Sequence, residues 1–400
     1  MSAASPSTQH SSGSEKSNSN PMGLTLAMLV AIASLYYVWQ SQSDFEALLL
    51  LLGMALGLCL FHASFGFTTA WRNLIQHRDG SGIRGQLVML SMSVVLFFPV
   101  LGAGELVGNS VNGFVRPLGP SVIFGAFIFG IGMQIANGCA SGNLYHFGSG
   151  RFNALPVIVG FSAGALWSTL DYEWWTTLPQ LAPIGLIEIL GVLPAIILNL
   201  LLFAMIYWLT LKRESNPIDP VSHHPQAIWL RAIRGPWPMI WGAAGLAILN
   251  FITLAMLGRP WAVALAYPVW GAKAAEALNI NLELDFTTYW MQPGRENALF
   301  EPLTSDPGTL MNVGVIFGAL IAATLAGRFS LSLALSIRQL IGGLMGGLML
   351  GYGATIAYGC NIGAFIGGVV SGSLHGWLWI VCALAGSFIG VKLRPLFKLD

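Results

Sequence analysis

Four cysteines, Cys59, Cys139, Cys360 and Cys382, are the residues of this 400-residue chain whose chemistry most needs explaining. They form no CxxC pair, and no histidine stands at zinc-site spacing from them, so neither a disulfide scaffold nor a structural metal is signalled. Any role for a thiol here is individual. Cys139 and Cys360 stand in duplicated surroundings. Gly125, Gly130, Gly132, Ala136, Gly138, Cys139 and Gly142 recur as Gly346, Gly351, Gly353, Ala357, Gly359, Cys360 and Gly363, all at an offset of 221 residues. A second string, Phe67-Thr68-Thr69-Ala70-Trp71, resembles Phe286-Thr287-Thr288-Tyr289-Trp290 at an offset of 219, and the order of the two motifs is kept.

Each glycine series ends in a polar tip, Asn137-Gly138-Cys139-Ala140-Ser141-Gly142-Asn143 in one half and Tyr358-Gly359-Cys360-Asn361-Ile362-Gly363 in the other. Such a tip breaks a helix. Backbone freed inside a membrane must be buried in protein or line a cavity, and the helix that follows presents unpaired N–H groups and a positive dipole end to an anion. The candidate path for a solute is therefore Gly138, Cys139, Gly142 and Asn143 with Gly359, Cys360, Asn361 and Gly363, joined by Thr68 and Thr287 from the second string. No Asp, Glu, Lys or Arg falls in 117–150 or 339–391. A permeating anion is thus expected to meet N–H, Asn, Ser and S–H donors and no cation, which favours weak, fast binding of the kind conduction needs.

The elements that must position these residues are membrane helices. Charged residues are 9% of the chain, against about a quarter in ordinary soluble domains, while hydrophobic residues reach 55% and Gly 48 of 400. A net charge of +1 without a basic stripe gives no footprint for nucleic acid. Stretches long enough to span are 22–39, 45–65, 85–104, 118–138, 152–170, 182–211, 237–257, 309–327, 339–358 and 375–391, at 1.5 Å per residue across about 30 Å of hydrocarbon. Residues 260–300 mix Trp, Tyr and Pro with charges and predict short, broken or re-entrant helices. The polar residues 1–21 read as a disordered tail, 22–211 as a first transmembrane repeat, 212–236 as a basic cytoplasmic linker and 237–400 as a second repeat. Basic residues cluster at Arg72/Arg78/Arg84, Lys212/Arg213/Arg231/Arg234, Arg328/Arg338 and Lys392/Arg394/Lys398, which the positive-inside rule places in the cytoplasm with both chain ends. Helices 118–138 and 339–358 then run in opposite directions. The expected fold is an all-α polytopic membrane protein, an inverted repeat whose broken helices meet at a central constriction, and that architecture argues transport.

Other ionisable and small residues read as structure. Cys59 and Cys382 sit in unbroken apolar runs and read as packing. The glycine series reads first as a device for close helix approach. Glu105 and Glu188 fall near span ends and read as interfacial, His223-His224 as a solvated loop, and Asp285 as either an outer-face carboxylate or a functional one.

The string Phe129-Gly130-Ile131-Gly132-Met133, with Ala136 to Gly142 and with Gly342-Gly343, Gly351-Tyr352-Gly353-Ala354 and Gly359-Cys360-Asn361-Ile362-Gly363, resembles the YeeE/YedE sulfur-transport family over about residues 45–391. The resemblance implies an inner-membrane carrier with a constricted centre that takes up thiosulfate or a related small sulfur anion. It also implies that thiols along the path, here Cys139 and Cys360, hand the solute inward through S–H···S contacts. Members of that family commonly carry a further cysteine on an early helix, where this chain has Gly66 within Ser64-Phe65-Gly66-Phe67. That departure leaves open a selenium compound or another sulfur species. A membrane-embedded thiol enzyme or sensor, taking sulfur from a cytoplasmic sulfur-carrier protein, is the reading from a different class, and it would need a cation such as Arg151 or His146 beside the thiol.

Overall fold

The computed structural model describes residues 21–215, 227–332 and 335–399. The polar tail up to residue 20, His223-His224 and the middle of the 212–236 linker lie outside the described residues. Among the described residues, ten helices are long and apolar enough to cross a membrane. Among the described residues the strands are confined to the hairpin Glu105–Leu106 and Asn109–Ser110, so this is an all-α polytopic membrane protein.

The main helices are α1 (Pro21–Ser41), α2 (Asp44–Ala63), α3 (Phe67–His77), α4 (Ser81–Ala103), α5 (Pro120–Ile135), α6 (Ala140–Gly148) and α7 (Leu155–Leu170), then α8 (Val192–Arg213), α9 (Met239–Leu257), α10 (Ala266–Ala277), α11 (Pro307–Leu325), α12 (Ile337–Ile356) and α13 (Leu374–Leu393). Their starts follow local chemistry. The Ser43 hydroxyl accepts the Phe45 N–H at the head of α2, Asp306 accepts the Thr309 N–H at the head of α11, and Ser336 with Gln339 forms a reciprocal capping box on α12. The span expected from 182 begins only at Val192. Gly191 takes φ +81°, which stops the preceding short helix Leu186–Leu190 and lets the chain turn into α8.

Glycine decides how the helices meet. A Cβ on Gly125 would stand 2.7 Å from the Gly353 carbonyl oxygen, and one on Gly132 would stand 2.8 Å from that of Gly346, so α5 and α12 run antiparallel at backbone contact. The register is reciprocal. Gly125 is the sequence counterpart of Gly346 and Gly132 that of Gly353, so the two contacts exchange roles, as they do across an isologous interface. The flanking pairs match as well: Gly160 and Gly164 of α7 lie against Leu344 and Leu348 of α12, while Gly386 and Gly390 of α13 lie against Phe127 and Ile131 of α5. Both pairs run parallel.

The second repeated string behaves differently. Phe67 is fully buried at the start of α3, which packs on α13, whereas Phe286 is 78% exposed in a short turn. In packing, the counterpart of α3 is α10, which lies on α7 as α3 lies on α13. Residues 278–306 form a long insertion between α10 and α11, where α3 and α4 are joined by three residues, Arg78 to Gly80. The expectation of short, broken helices over 260–300 holds, with α10 flanked by turns at Val263–Leu265, Leu284–Phe286 and Asn297–Phe300.

Candidate functional site

Both α5 and α12 stop in the same way. After Ala136 and Ala357, Asn137 and Tyr358 adopt left-handed backbone at φ 55° and 62°, each followed by glycine and then by a cysteine in extended conformation. Gly359 takes φ +146°, which a side chain would strain. New helices leave from the cysteines, α6 from Cys139 and the segment Asn361–Ile366, continued by Gly367–Val370, from Cys360.

All four cysteines are free, and Cys139 and Cys360 are buried at 3% and 1% exposure. The Cys139 sulfur accepts the Gly142 N–H at 3.4 Å and lies 3.6 Å from the Ser141 hydroxyl. The Cys360 side chain accepts no such capping bond; the backbone of Gly363, Ile362 and Ala264 lies close enough to act on its thiol, and the two thiols and the Tyr267 hydroxyl lie within electrostatic reach of one another. Tyr267 donates to the Ala140 carbonyl at 3.2 Å, which ties α10 to the first broken helix. Nothing in the sequence pattern singled Tyr267 out. The groups that act on Cys139 are Ser141 and backbone N–H groups, while Arg151 pairs with His146 at 3.4 Å.

The other path residues divide. Asn143 donates to the Cys139 carbonyl at 2.9 Å and stands where a Cβ on Gly138 would be, so it locks the first tip. Asn361 approaches the Met133 sulfur at 3.6 Å, and its Oδ1 is buried without a partner. Gly363 has room for a side chain and Gly142 faces the Cys139 sulfur. Thr68 is buried with its hydroxyl unpartnered, while its carbonyl accepts from Gln134 at 3.4 Å. Thr287 is not brought to this centre: its hydroxyl bonds the Leu284 carbonyl at 2.9 Å within the insertion.

A cavity of about 400 Å³ opens from the end of the bundle that carries residues 258–306, and it reaches Gly359 and Gly363 beside Cys360. Arg116, Arg259 and Arg295 line it with Phe114, Tyr289 and Tyr358. Burial lowers the pKa of Arg116 and Arg259, and repulsion from Arg295 lowers both further; Asp306 raises that of Arg259. Arginine stays charged through such shifts, so the cavity wall carries three crowded cations, with Asp306 acting on Arg259. The Arg295 guanidinium lies 4.0 Å over the Tyr289 ring with Nη1 buried and unpartnered, and Arg116 lies 5.7 Å over Phe114 and 6.0 Å over Tyr358. The cavity is thus lined by cations, although the stretches 117–150 and 339–391 supply none. Arg116 is one residue outside the charge-free stretch, and Arg259 and Arg295 come from loops outside the duplicated strings. A usable signal was present, since each sits next to Gly or Pro: Arg116-Pro117, Gly258-Arg259-Pro260 and Gly294-Arg295.

At the opposite end, Asn137 Oδ1 accepts from Arg72 at 2.9 Å and from Arg394 at 3.1 Å, and Arg394 also donates to the Gln134 carbonyl at 2.8 Å. A cavity of about 190 Å³ lies there against Asn137, Asn153, Gln339 and Lys398. Cys59 donates to the Gly242 carbonyl at 3.6 Å in the contact of α2 with α9, and Cys382 is half-buried on α13. A Cβ on Gly66 would make only ordinary contacts, 3.6 Å to the Thr69 hydroxyl and 3.8 Å to that of Tyr145. Glu105, Glu188 and Asp285 are exposed.

The family described as sulphur transport matches residues 62–389. The chain is 26% identical over 357 residues to the thiosulfate transporter TsuA of Spirochaeta thermophila, covering 85% of this chain and 96% of that protein. It is 28% identical over 178 residues to the probable transporter YedE of Salmonella typhimurium, covering 44% and 42%, and 28% identical over 173 residues to that of Escherichia coli, covering 43% and 41%.

Proposed function

This chain belongs to the sulphur transport family, and on that premise we propose that it is a membrane transporter of a small sulfur dianion, thiosulfate first. The observation that carries the reading is the arginine-lined cavity that ends beside Cys360, with Cys139 behind it. Arg116, Arg259 and Arg295 draw the anion in and take part of its charge as it sheds water. At the cavity floor the N–H groups around Gly363 receive its oxygens, and the Cys360 thiol meets its terminal sulfur. Sulfur is soft and weakly hydrated, so an S–H···S contact holds the solute loosely enough to release it to Cys139. It leaves past Thr68, Gln134 and Asn137, where Arg72 and Arg394 exchange the asparagine oxygen for the anion.

The two halves, 22–211 and 237–400, are read as an inverted repeat joined by the basic linker 212–236, and the reciprocal contact of α5 with α12 supports this. The end that carries Asn137 is read as cytoplasmic and the membrane as the inner one, with both termini inside, because Arg72, Arg84, Lys212, Arg213, Arg394 and Lys398 gather there. A sulfur-carrier protein at that face is the fitting acceptor. The protein acts here as a permease, and the thiols carry out no covalent step.

Uptake of isotope-labelled thiosulfate into proteoliposomes is the test. The expectation is accumulation well above protein-free vesicles, lost in Cys360→Ala and not matched by sulfate. No uptake, or equal uptake of sulfate, overturns the reading, and stronger competition by a selenium analogue moves the substrate to that class.

A further inference from the structure

We propose that the end of the bundle opposite the arginine cavity holds a site for an anionic phospholipid, in the groove between the end of α8 and the turn after α3. The groove has a volume of about 790 Å³, with Leu74, Ile206 and Leu209 on its apolar side and Arg78, Lys212 and Arg213 on its polar side. Glu214 also borders it. That carboxylate is already taken by Arg84 at 2.9 Å, so the field in the groove is that of the three cations.

The groove sits at headgroup depth. Trp208 is 56% exposed with the Lys212 ammonium 5.0 Å over its ring, and Tyr207 is 39% exposed with Arg84 6.0 Å over its ring. Aromatic side chains with basic neighbours at the end of a membrane helix mark the interface between hydrocarbon and headgroups. Above it, Leu201 and Met205 of α8 are exposed, so a chain lying on Leu74, Ile206 and Leu209 continues into lipid-facing surface. A soluble phosphate would leave that apolar half uncovered, and a neutral lipid would leave the cations unmatched. A phospholipid with net negative charge satisfies both halves.

The position gives the lipid leverage. Arg78 ends α3 in left-handed backbone, and Gly80 abuts Thr210 of α8 so closely that a Cβ would stand 2.7 Å from it. The same short helix carries Thr68, and its Arg72 holds Asn137. A headgroup on Arg78 therefore fixes the helix that supports the exit from the first broken tip.

Native mass spectrometry of the full chain, given phosphatidylglycerol or phosphatidylcholine at equal concentration, tests this without measuring transport. Wild type should retain phosphatidylglycerol several-fold over phosphatidylcholine. R78Q/K212Q/R213Q should lose that preference, while R234Q/R328Q/R338Q, with the same reduction in charge elsewhere, should keep it. Leu209→Trp keeps every cation and fills the apolar half, and it too should lose the lipid, so misfolding of the charge variant alone leaves the test standing. The proposal is overturned if wild type shows no preference, if both Leu209→Trp and the charge variant keep it, if the control triple loses it equally, or if millimolar inorganic phosphate displaces the lipid.

Discussion

Replacing Cys139 or Cys360 by alanine removes one S–H donor and little volume, so a folded protein with nearly abolished thiosulfate uptake is expected of each, measured in proteoliposomes. Serine is the sharper substitution. It keeps a donor of similar size and exchanges soft sulfur for hard oxygen, so uptake should stay low; full uptake with Ser at both positions would reduce the thiols to ordinary hydrogen-bond donors. Alanine at Cys59 costs one long contact with the Gly242 carbonyl and should leave uptake within about twofold, since a single weak hydrogen bond is worth about 1 kcal/mol or less. At the mouth, Arg295→Gln should raise the KM for thiosulfate and lower kcat less, because it removes a cation from the place where the anion is gathered. The thiols were legible in the sequence because duplication marked them. The arginines were not, because an arginine in a loop reads the same whether it points to bulk water or into a cavity, and only the packing of 258–306 over the second tip distinguishes the two.

The helices themselves were almost wholly legible. Runs of about twenty apolar residues leave the backbone one way to satisfy itself in lipid, so the observed ends fall close to those read from hydropathy, except at 182, where the span starts only at Val192. What hydropathy does not carry is equivalence between short elements. The match of Phe67–Trp71 to Phe286–Trp290 is a likeness of strings, and the packing assigns the role of α3 to α10, which shares little sequence with it. Glycine spacing proved the better guide, because a Cβ cannot be placed where two backbones touch. Gly132→Leu puts a side chain against the Gly346 carbonyl and should destabilise the α5 and α12 contact by about 1–3 kcal/mol, read as a fall in Tm of the purified protein. Gly363→Ala, with its nearest neighbour 3.6 Å from the new Cβ, should leave Tm nearly unchanged and show its effect in uptake alone.

For the whole molecule, the two ends are charged by different means, and the proposed function makes the first the entrance and the second the exit. At one end three arginines stand round a cavity about 400 Å³ in volume and repel one another, so an anion arriving there relieves their repulsion. At the other, Arg72 and Arg394 already share the Asn137 oxygen, so an anion there must displace a protein group before it is held. The floor of the first mouth is open glycine, and the corresponding place in the second is filled by Gln134, Thr68 and the C-terminal turn at Arg394. The larger cavity thus opens at the 258–306 end, and at the other end Asn137 is held by two arginines beside a smaller one. Sided labelling checks both this and the proposed topology. In a background with Cys59 and Cys382 replaced by alanine, a membrane-impermeant thiol reagent added outside intact cells should modify Gly294→Cys quickly. Lys398→Cys should react only after the membrane is opened. Thiosulfate should slow modification at position 294 by occupying the cavity that Gly294 lines, and sulfate should slow it less. The reverse pattern of access, with 398 labelled from outside, would invert the topology and make the arginine cavity an exit.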